Sequence, residues 1–117
     1  MVEELENQSG WVWLPHPAHL CIANSCRFRL ATKVGNYIVS TVGEWYKNNS
    51  YEKIGGGRLY ETMVFAALPS VCEACRWEID STEELDFAGY NSAAAALLGH
   101  LGMCKKWERR FRWLKAT

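Results

Sequence analysis

The chain has no long hydrophobic run. None approaches the roughly 18 apolar residues that a helix needs to cross a bilayer, and the first residues, Met1 to Glu6, are acidic. A secretory signal instead has a basic start followed by an apolar stretch. We therefore expect a protein that lies in the cytoplasm and does not associate with membranes.

Net charge and catalytic motifs are missing as well. Thirteen Lys and Arg residues balance thirteen Asp and Glu residues, so no overall field draws the protein to nucleic acid or to a membrane surface. The triple glycine from Gly55 to Gly57 is not followed by the Lys-Ser or Lys-Thr pair of a phosphate-binding loop. With no catalytic signature elsewhere, the sequence favours a protein that is not an enzyme.

The composition is that of one folded domain. The 117 residues are 49% hydrophobic and 22% charged, which is enough apolar material for a core. We predict a flexible N-terminus over residues 1–10 and a single α+β domain over residues 11–117. Six tryptophans are many for this length. They are expected either in the core or at a binding surface, where tryptophan contributes a large contact area.

A β-hairpin is the clearest structural signal. Residues 27–34 alternate polar and apolar side chains, as in a half-buried strand. Gly35-Asn36 follows, a pair that favours the positive φ of two-residue turns, and residues 37–42 are rich in β-branched and aromatic side chains. The same register sets Arg27 opposite Glu44, which predicts a cross-strand charge pair.

Two further strands flank the hairpin in sequence. Residues 59–68 predict a third main strand that ends at Pro69, and residues 11–14 predict a brief edge strand or a packed arm before Pro15. The fold class we predict is therefore α+β, with an antiparallel β-hairpin and a third strand packed against one long C-terminal α-helix.

The helix signal begins at Asn91 or Ser92, either of which is a good N-cap, and extends to about Leu114. Helical spacing predicts that one stripe of the helix is apolar and faces the sheet. Its members are Leu97, Leu101, Cys104 and Phe111. Gly99 and Gly102 weaken a helix, so they are expected to allow close packing against the sheet.

All cysteine and histidine residues fall into two groups of four. The first combines a Cys-x-x-Cys pair with a His and a Cys spaced four apart on the helix, and it predicts a structural Cys3His zinc site: Cys72, Cys75, His100 and Cys104. The second possible cluster is His16, His19, Cys21 and Cys26. A single site could also draw ligands from both groups. The alternative is that the cysteines are small apolar core residues.

The end of the helix is basic and aromatic. The residues that could meet phosphates and stack on bases are Lys105, Lys106, Trp107, Arg109, Arg110, Arg112 and Trp113. Two other interpretations stay open. Cations also suit the negative end of a helix dipole, and this segment could pack against the chain's own acidic stretch, residues 78–86.

Five strings occur in an order that resembles a family of small uncharacterised proteins encoded by tailed phages and prophages. They are Cys26–Thr32, Tyr37–Glu44, Tyr60–Phe65, Asp86–Asn91 and Gly99–Trp107. The loop after residue 44 is shorter here than the family leads us to expect. The resemblance carries over no activity and no site residues. It implies an accessory factor of the host cytoplasm, of the kind to which inhibitors of bacterial defence, anti-CRISPR proteins among them, belong.

These observations predict a non-enzymatic phage-encoded accessory protein that binds a host or phage protein. This hypothesis expects exposed tryptophans. The alternative is a small zinc-binding nucleic-acid-binding module that uses the basic, aromatic end of the helix. A thiol or hydrolytic enzyme would require a solvent-open cleft at His100 or His16. The oligomeric state is left open.

Overall fold

The computed structural model describes residues 10–15, 25–70 and 76–116. Within these ranges a curled antiparallel sheet of seven strands packs against one C-terminal helix, which confirms the predicted α+β class. The elements are β1 (Trp11–Trp13), β2 (Cys26–Val34), β3 (Tyr37–Lys47), β4 (Ser50–Glu52), β5 (Tyr60–Pro69), β6 (Trp77–Ile79), β7 (Asp86–Tyr90) and α1 (Ala93–Ala116). No helix of the described residues is long and apolar enough to span a bilayer.

The three longest strands form the centre of the sheet. The order is β1-β2-β3-β5, and β5 has two further partners along its length, β7 at residues 60–64 and β6 at residues 67–69. The short strand β4 pairs with the end of β3. Because β3 is paired on both sides, its residues 38–42 are buried.

The predicted hairpin is present, with Val34 opposite Tyr37 across a two-residue turn. Gly35 in that turn has φ +58°, which glycine adopts without steric cost. A Cβ at this position would also lie 2.4 Å from the Phe111 ring. The helix end therefore rests directly on the turn.

The predicted charge pair between Arg27 and Glu44 is wrong. Glu44 has φ +55°, and its carboxylate accepts a hydrogen bond of 2.7 Å from the Tyr60 hydroxyl. The Arg27 guanidinium instead lies over two aromatic rings, 5.2 Å from the centre of Tyr46 and 5.8 Å from that of Tyr51. The local backbone distortion at Glu44 turns its side chain to a different strand.

Ser92 is the N-cap of α1. Its hydroxyl accepts a hydrogen bond of 3.1 Å from the amide of Ala95, which satisfies one of the free donors at the start of a helix. The neighbouring Asn91 has another role, since its side-chain oxygen accepts from the amide of Leu59.

The buried stripe of α1 differs from the predicted one. Leu97 is exposed, and Leu101 and Phe111 are only half-buried. The residues that are buried against the sheet are Ala96, His100, Cys104 and Trp107. Cys104 and Trp107 pack with valines of β2, β3 and β5. The helix thus presents one histidine to the interior, and the sheet must supply its partners.

Candidate functional site

A histidine lies fully buried between α1 and the sheet. His100 Nε2 is 2.9 Å from the Thr32 hydroxyl, and His100 Nδ1 is 2.7 Å from the Thr41 hydroxyl. Thr41 also bonds Thr62 at 2.6 Å. All four side chains are inaccessible to solvent.

Three neighbouring strands place these hydroxyls on the same face of the sheet. Thr32 is on β2, and Thr41 and Thr62 are directly opposite each other on β3 and β5. From the edge strand β1, the ring of Trp13 stacks on His100 with 5.5 Å between ring centres and 26° between planes. Trp13 is itself 51% exposed, so it covers the histidine at the surface.

The cluster is electrically neutral. Burial lowers the pKa of His100 to about 4, so the ring is uncharged near pH 7. A neutral imidazole has one donor and one acceptor nitrogen, and a threonine hydroxyl can complement either one. Since both ring nitrogens are hydrogen-bonded, the arrangement holds β2, β3 and α1 together. His100 does not occupy the solvent-open cleft that the enzyme hypothesis requires, and His16 lies outside the described residues.

Cys104 follows one turn after His100 and shares its buried face, as the spacing predicted. Burial raises the pKa of the Cys104 thiol to about 12, while a hydrogen bond with Thr32 acts in the opposite direction. The thiol is therefore protonated near pH 7 in the metal-free chain, and zinc would displace this proton on binding. To bind a metal, His100 would have to give up a hydrogen bond to Thr32 or Thr41.

The other predicted zinc ligands are mostly outside the structure's described ranges. These are Cys72, Cys75, His16, His19 and Cys21. Cys26 is described, and it is buried beside Val42. In residues 10–15, 25–70 and 76–116, no group of three or more His, Cys, Asp or Glu side chains is arranged to hold a metal. The zinc site remains a prediction.

Trp107 of the basic helix end is a core residue. It is buried, it meets the ring of Tyr37 edge-on with 4.8 Å between centres, and its Nε1 donates a hydrogen bond of 2.9 Å to Asp86. The Lys106 amine pairs with the same carboxylate at 2.7 Å. Although burial raises the pKa of Asp86, these hydrogen bonds outweigh it and lower the pKa overall.

The remaining basic residues lie at the surface. Arg110 is stacked over the Trp107 ring, with 5.4 Å to its centre, and Arg112 is 3.8 Å from Glu108. Lys105 and Arg109 are exposed and form no ion pair within the part of the chain that the structure describes. The basic segment thus divides into residues that hold the helix to the sheet and residues that face solvent.

The side of α1 opposite the sheet combines these cations with large apolar side chains. Helical spacing aligns four exposed residues there, which we call the outer face: Leu98, Lys105, Arg109 and Trp113. Leu98 is 70% exposed and Trp113 is 62% exposed. Over this length the outer face extends about 22 Å along the helix axis.

The six tryptophans have different environments. Trp107 is buried, Trp13 and Trp113 are more than half exposed, and the others are half-buried: Trp11, Trp45 and Trp77. The exposed tryptophans that the binding hypothesis expects are therefore present.

The sequence analysis did not identify the buried threonines. Side chains of a strand alternate between its two faces, and this period of two could have marked the threonines as polar residues on the inward face.

Comparison with known protein families, with curated proteins and with solved structures finds no match to this chain. Function must be inferred from the surfaces described above.

Proposed function

We propose that this is a non-enzymatic binding protein of phage origin that acts in the host cytoplasm by contacting an acidic surface of a host protein through the outer face of α1. We extend this proposal to one role, the inhibition of a bacterial defence system, which is what anti-CRISPR proteins do. The observation that carries the proposal is the outer face itself, where two large exposed apolar side chains, Leu98 and Trp113, flank the exposed cations Lys105 and Arg109.

The apolar ends of the outer face favour a protein partner. An exposed leucine or tryptophan does not contribute the hydrophobic stabilisation that its burial would give. Tryptophan is also enriched among the residues that dominate the binding energy of protein interfaces. The cations between them favour an acidic partner surface, because complementary charge speeds encounter and suppresses wrong partners. The chain as a whole has no net charge, so this attraction is local.

The test begins with capture of host proteins on the purified chain, followed by titration of each purified captured protein. We expect the double variant Lys105→Glu/Arg109→Glu to weaken binding at least about tenfold, because like charges then oppose an acidic partner. The matched control is Lys47→Glu/Lys53→Glu, which makes the same charge change at exposed residues beyond the outer face. Equal loss in both variants would contradict the proposal.

A second candidate is the nucleic-acid-binding module. It is favoured by the exposed cations on the last turns of α1, among them Arg109, Arg110 and Arg112. It predicts that the chain binds a single-stranded oligonucleotide with a steep dependence on salt, and that Arg109→Ala/Arg110→Ala/Arg112→Ala abolishes this binding. Fluorescence anisotropy at low and physiological salt measures both effects. Failure to bind at low salt would eliminate this candidate.

A further inference from the structure

A cavity with a volume of about 520 Å³ lies beside β5 and β6. Its floor is apolar and consists of Met63, Phe65 and Ile79, and residues 81–84 form its rim. The ring of Phe87 extends the apolar surface, since it lies opposite Met63 on β7 and is 54% exposed. Pockets that hold small molecules usually measure about 300–1,000 Å³, so this cavity has room for one large aromatic side chain.

The cavity is on the face of the sheet that is turned away from α1. Val64 of β5 belongs to the core cluster that includes Trp107 of the helix, and side chains alternate between the two faces of a strand. Met63 and Phe65, which flank Val64, therefore point away from the helix. The outer face of α1 points in the opposite direction. The cavity and the outer face thus lie on opposite sides of the molecule and cannot meet within one chain.

The charge at the rim of the cavity is negative. Glu83 and Glu84 are exposed, and neither forms an ion pair within residues 10–15, 25–70 and 76–116. No cation lines the cavity in these described ranges. Asp80 accepts hydrogen bonds from the backbone amide and the hydroxyl of Thr82, at 3.1 and 2.6 Å, which orders the loop before the two glutamates. The cavity therefore favours an occupant that combines a bulky apolar group with cations.

The outer face of α1 has this composition. Lys105, Arg109 and Trp113 follow one another at intervals of one helical turn, and all three are exposed. Burial of the Trp113 ring in the cavity of a second copy removes its apolar surface from water. The same approach brings the two cations towards Glu83 and Glu84, where the charges are complementary. Each surface therefore supplies what the other one needs.

We propose that the protein associates with itself head to tail, with Trp113 of one copy in the cavity of the next. Because the two contact surfaces differ and lie on opposite sides, each copy can bind two others, and the contact builds open linear assemblies. The interface is small, so the association is weak and depends on concentration and salt. It covers the outer face, and a second copy therefore competes with the proposed host partner for the same residues.

Sedimentation velocity of the full chain over a wide range of concentrations tests this contact. We expect the mean mass to rise with concentration beyond that of a dimer at low ionic strength, and to fall when salt is added. Two charge-reversed variants, Lys105→Glu/Arg109→Glu and Glu83→Lys/Glu84→Lys, should each stay monomeric. In either variant, like charges face each other across the contact.

The matched control is Lys47→Glu/Lys53→Glu, which makes the same charge change at exposed residues beyond both surfaces. This control should associate as the natural protein does. Trp113→Ala should weaken the association about tenfold or more, because it removes the ring that enters the cavity. Circular dichroism verifies that each variant folds.

A mixture of the two charge-reversed variants shows whether the contact is head to tail. The new glutamates on the outer face of one variant then meet the new lysines at the cavity of the other, and the natural pair of surfaces is also present. We expect the equimolar mixture to associate although neither variant does so alone. A natural protein or a mixture that stays monomeric at every concentration would overturn the proposal. Association of Glu83→Lys/Glu84→Lys equal to that of the natural protein would overturn it too.

Capture of a host protein is a separate measurement. Glu83→Lys/Glu84→Lys leaves the outer face intact, so the proposed docking function predicts that this variant still binds the captured host protein. A protein that does not self-associate can therefore still dock on a host partner. Failure to capture a host protein, in turn, leaves the head-to-tail contact unaffected.

Discussion

At the scale of single residues, the structure depends on a histidine that is kept uncharged. His100 exchanges hydrogen bonds with threonines from two strands, and Thr62 of a third strand joins them. The sequence predicted correctly that His100 and Cys104 share a helix face, because that follows from local spacing. The threonine partners could not be predicted, since Thr32 and Thr41 lie 68 and 59 residues away along the chain and only the tertiary fold brings them together.

This neutral histidine predicts a loss of stability in acid. Its pKa is about 4 in the folded chain and about 6.5 when unfolded, so the unfolded state takes up a proton first as the pH falls. The contribution of the neutral histidine to the free energy of unfolding is present in full above pH 6.5. It is lost progressively as the pH falls towards 4, for a total loss on the order of 3 kcal/mol. Urea unfolding measured across this pH range gives the free energy of unfolding directly.

The control for that experiment is His100→Gln, which retains a donor and an acceptor but does not titrate. The variant should lose the part of the pH dependence that falls between pH 6.5 and pH 4, whatever its stability at neutral pH. If the natural chain and the variant show the same slope in this window, the histidine is not buried in neutral form.

At the scale of elements, the long units and the short edge strand β1 were predictable, and the other short strands were not. Alternation and turn chemistry predicted β2 and β3, and caps with helical period predicted α1. The strands β4, β6 and β7 have three to five residues, two of them within or beside the acidic stretch, and such segments have too little periodicity to be recognised. Pairing with β3 and β5, which is not local in sequence, makes them strands.

The two helix glycines, which the sequence treats alike, have different surroundings. A Cβ at Gly99 would lie 2.2 Å from the Tyr90 ring, whereas nothing lies within 4 Å of one at Gly102. We therefore expect Gly99→Ala to lower the free energy of unfolding by about 1–3 kcal/mol through overpacking. Gly102→Ala should raise it by up to about 1 kcal/mol through helix propensity. Chemical denaturation of the two variants side by side measures both.

This pair tests how α1 approaches the sheet, since each variant is the control for the other. Two variants of equal stability would mean that the helix does not come close to Tyr90 at Gly99.

At the scale of the whole molecule, acidic and basic residues are concentrated in separate segments of the chain, although the net charge is zero. Five carboxylates lie within residues 78–86 and six basic residues within residues 105–115. Only one ion pair among the described residues, Lys106 with Asp86, joins the two segments. The basic segment therefore contacts the acidic one through a single ion pair among the described residues. The residues of the outer face remain exposed to solvent.

The zinc prediction belongs to the whole molecule too, because it joins distant parts of the chain. Elemental analysis of protein purified without added metal should find about one zinc per chain, with unfolding on chelation. Because both ring nitrogens of His100 are hydrogen-bonded, we expect His100→Gln to retain the metal and Cys72→Ser to lose it. If both variants lose zinc equally, His100 is a zinc ligand after all.

The central claim is that the outer face of α1 docks on a protein, and Trp113 tests it most directly. The measurement is the dissociation constant of the captured host protein for Trp113→Ala, compared with Tyr51→Ala, which removes an exposed aromatic residue of β4. Interface tryptophans commonly contribute at least about 2 kcal/mol, so we predict that Trp113→Ala weakens binding by about thirtyfold and that Tyr51→Ala has little effect. Unchanged affinity for Trp113→Ala would contradict the account.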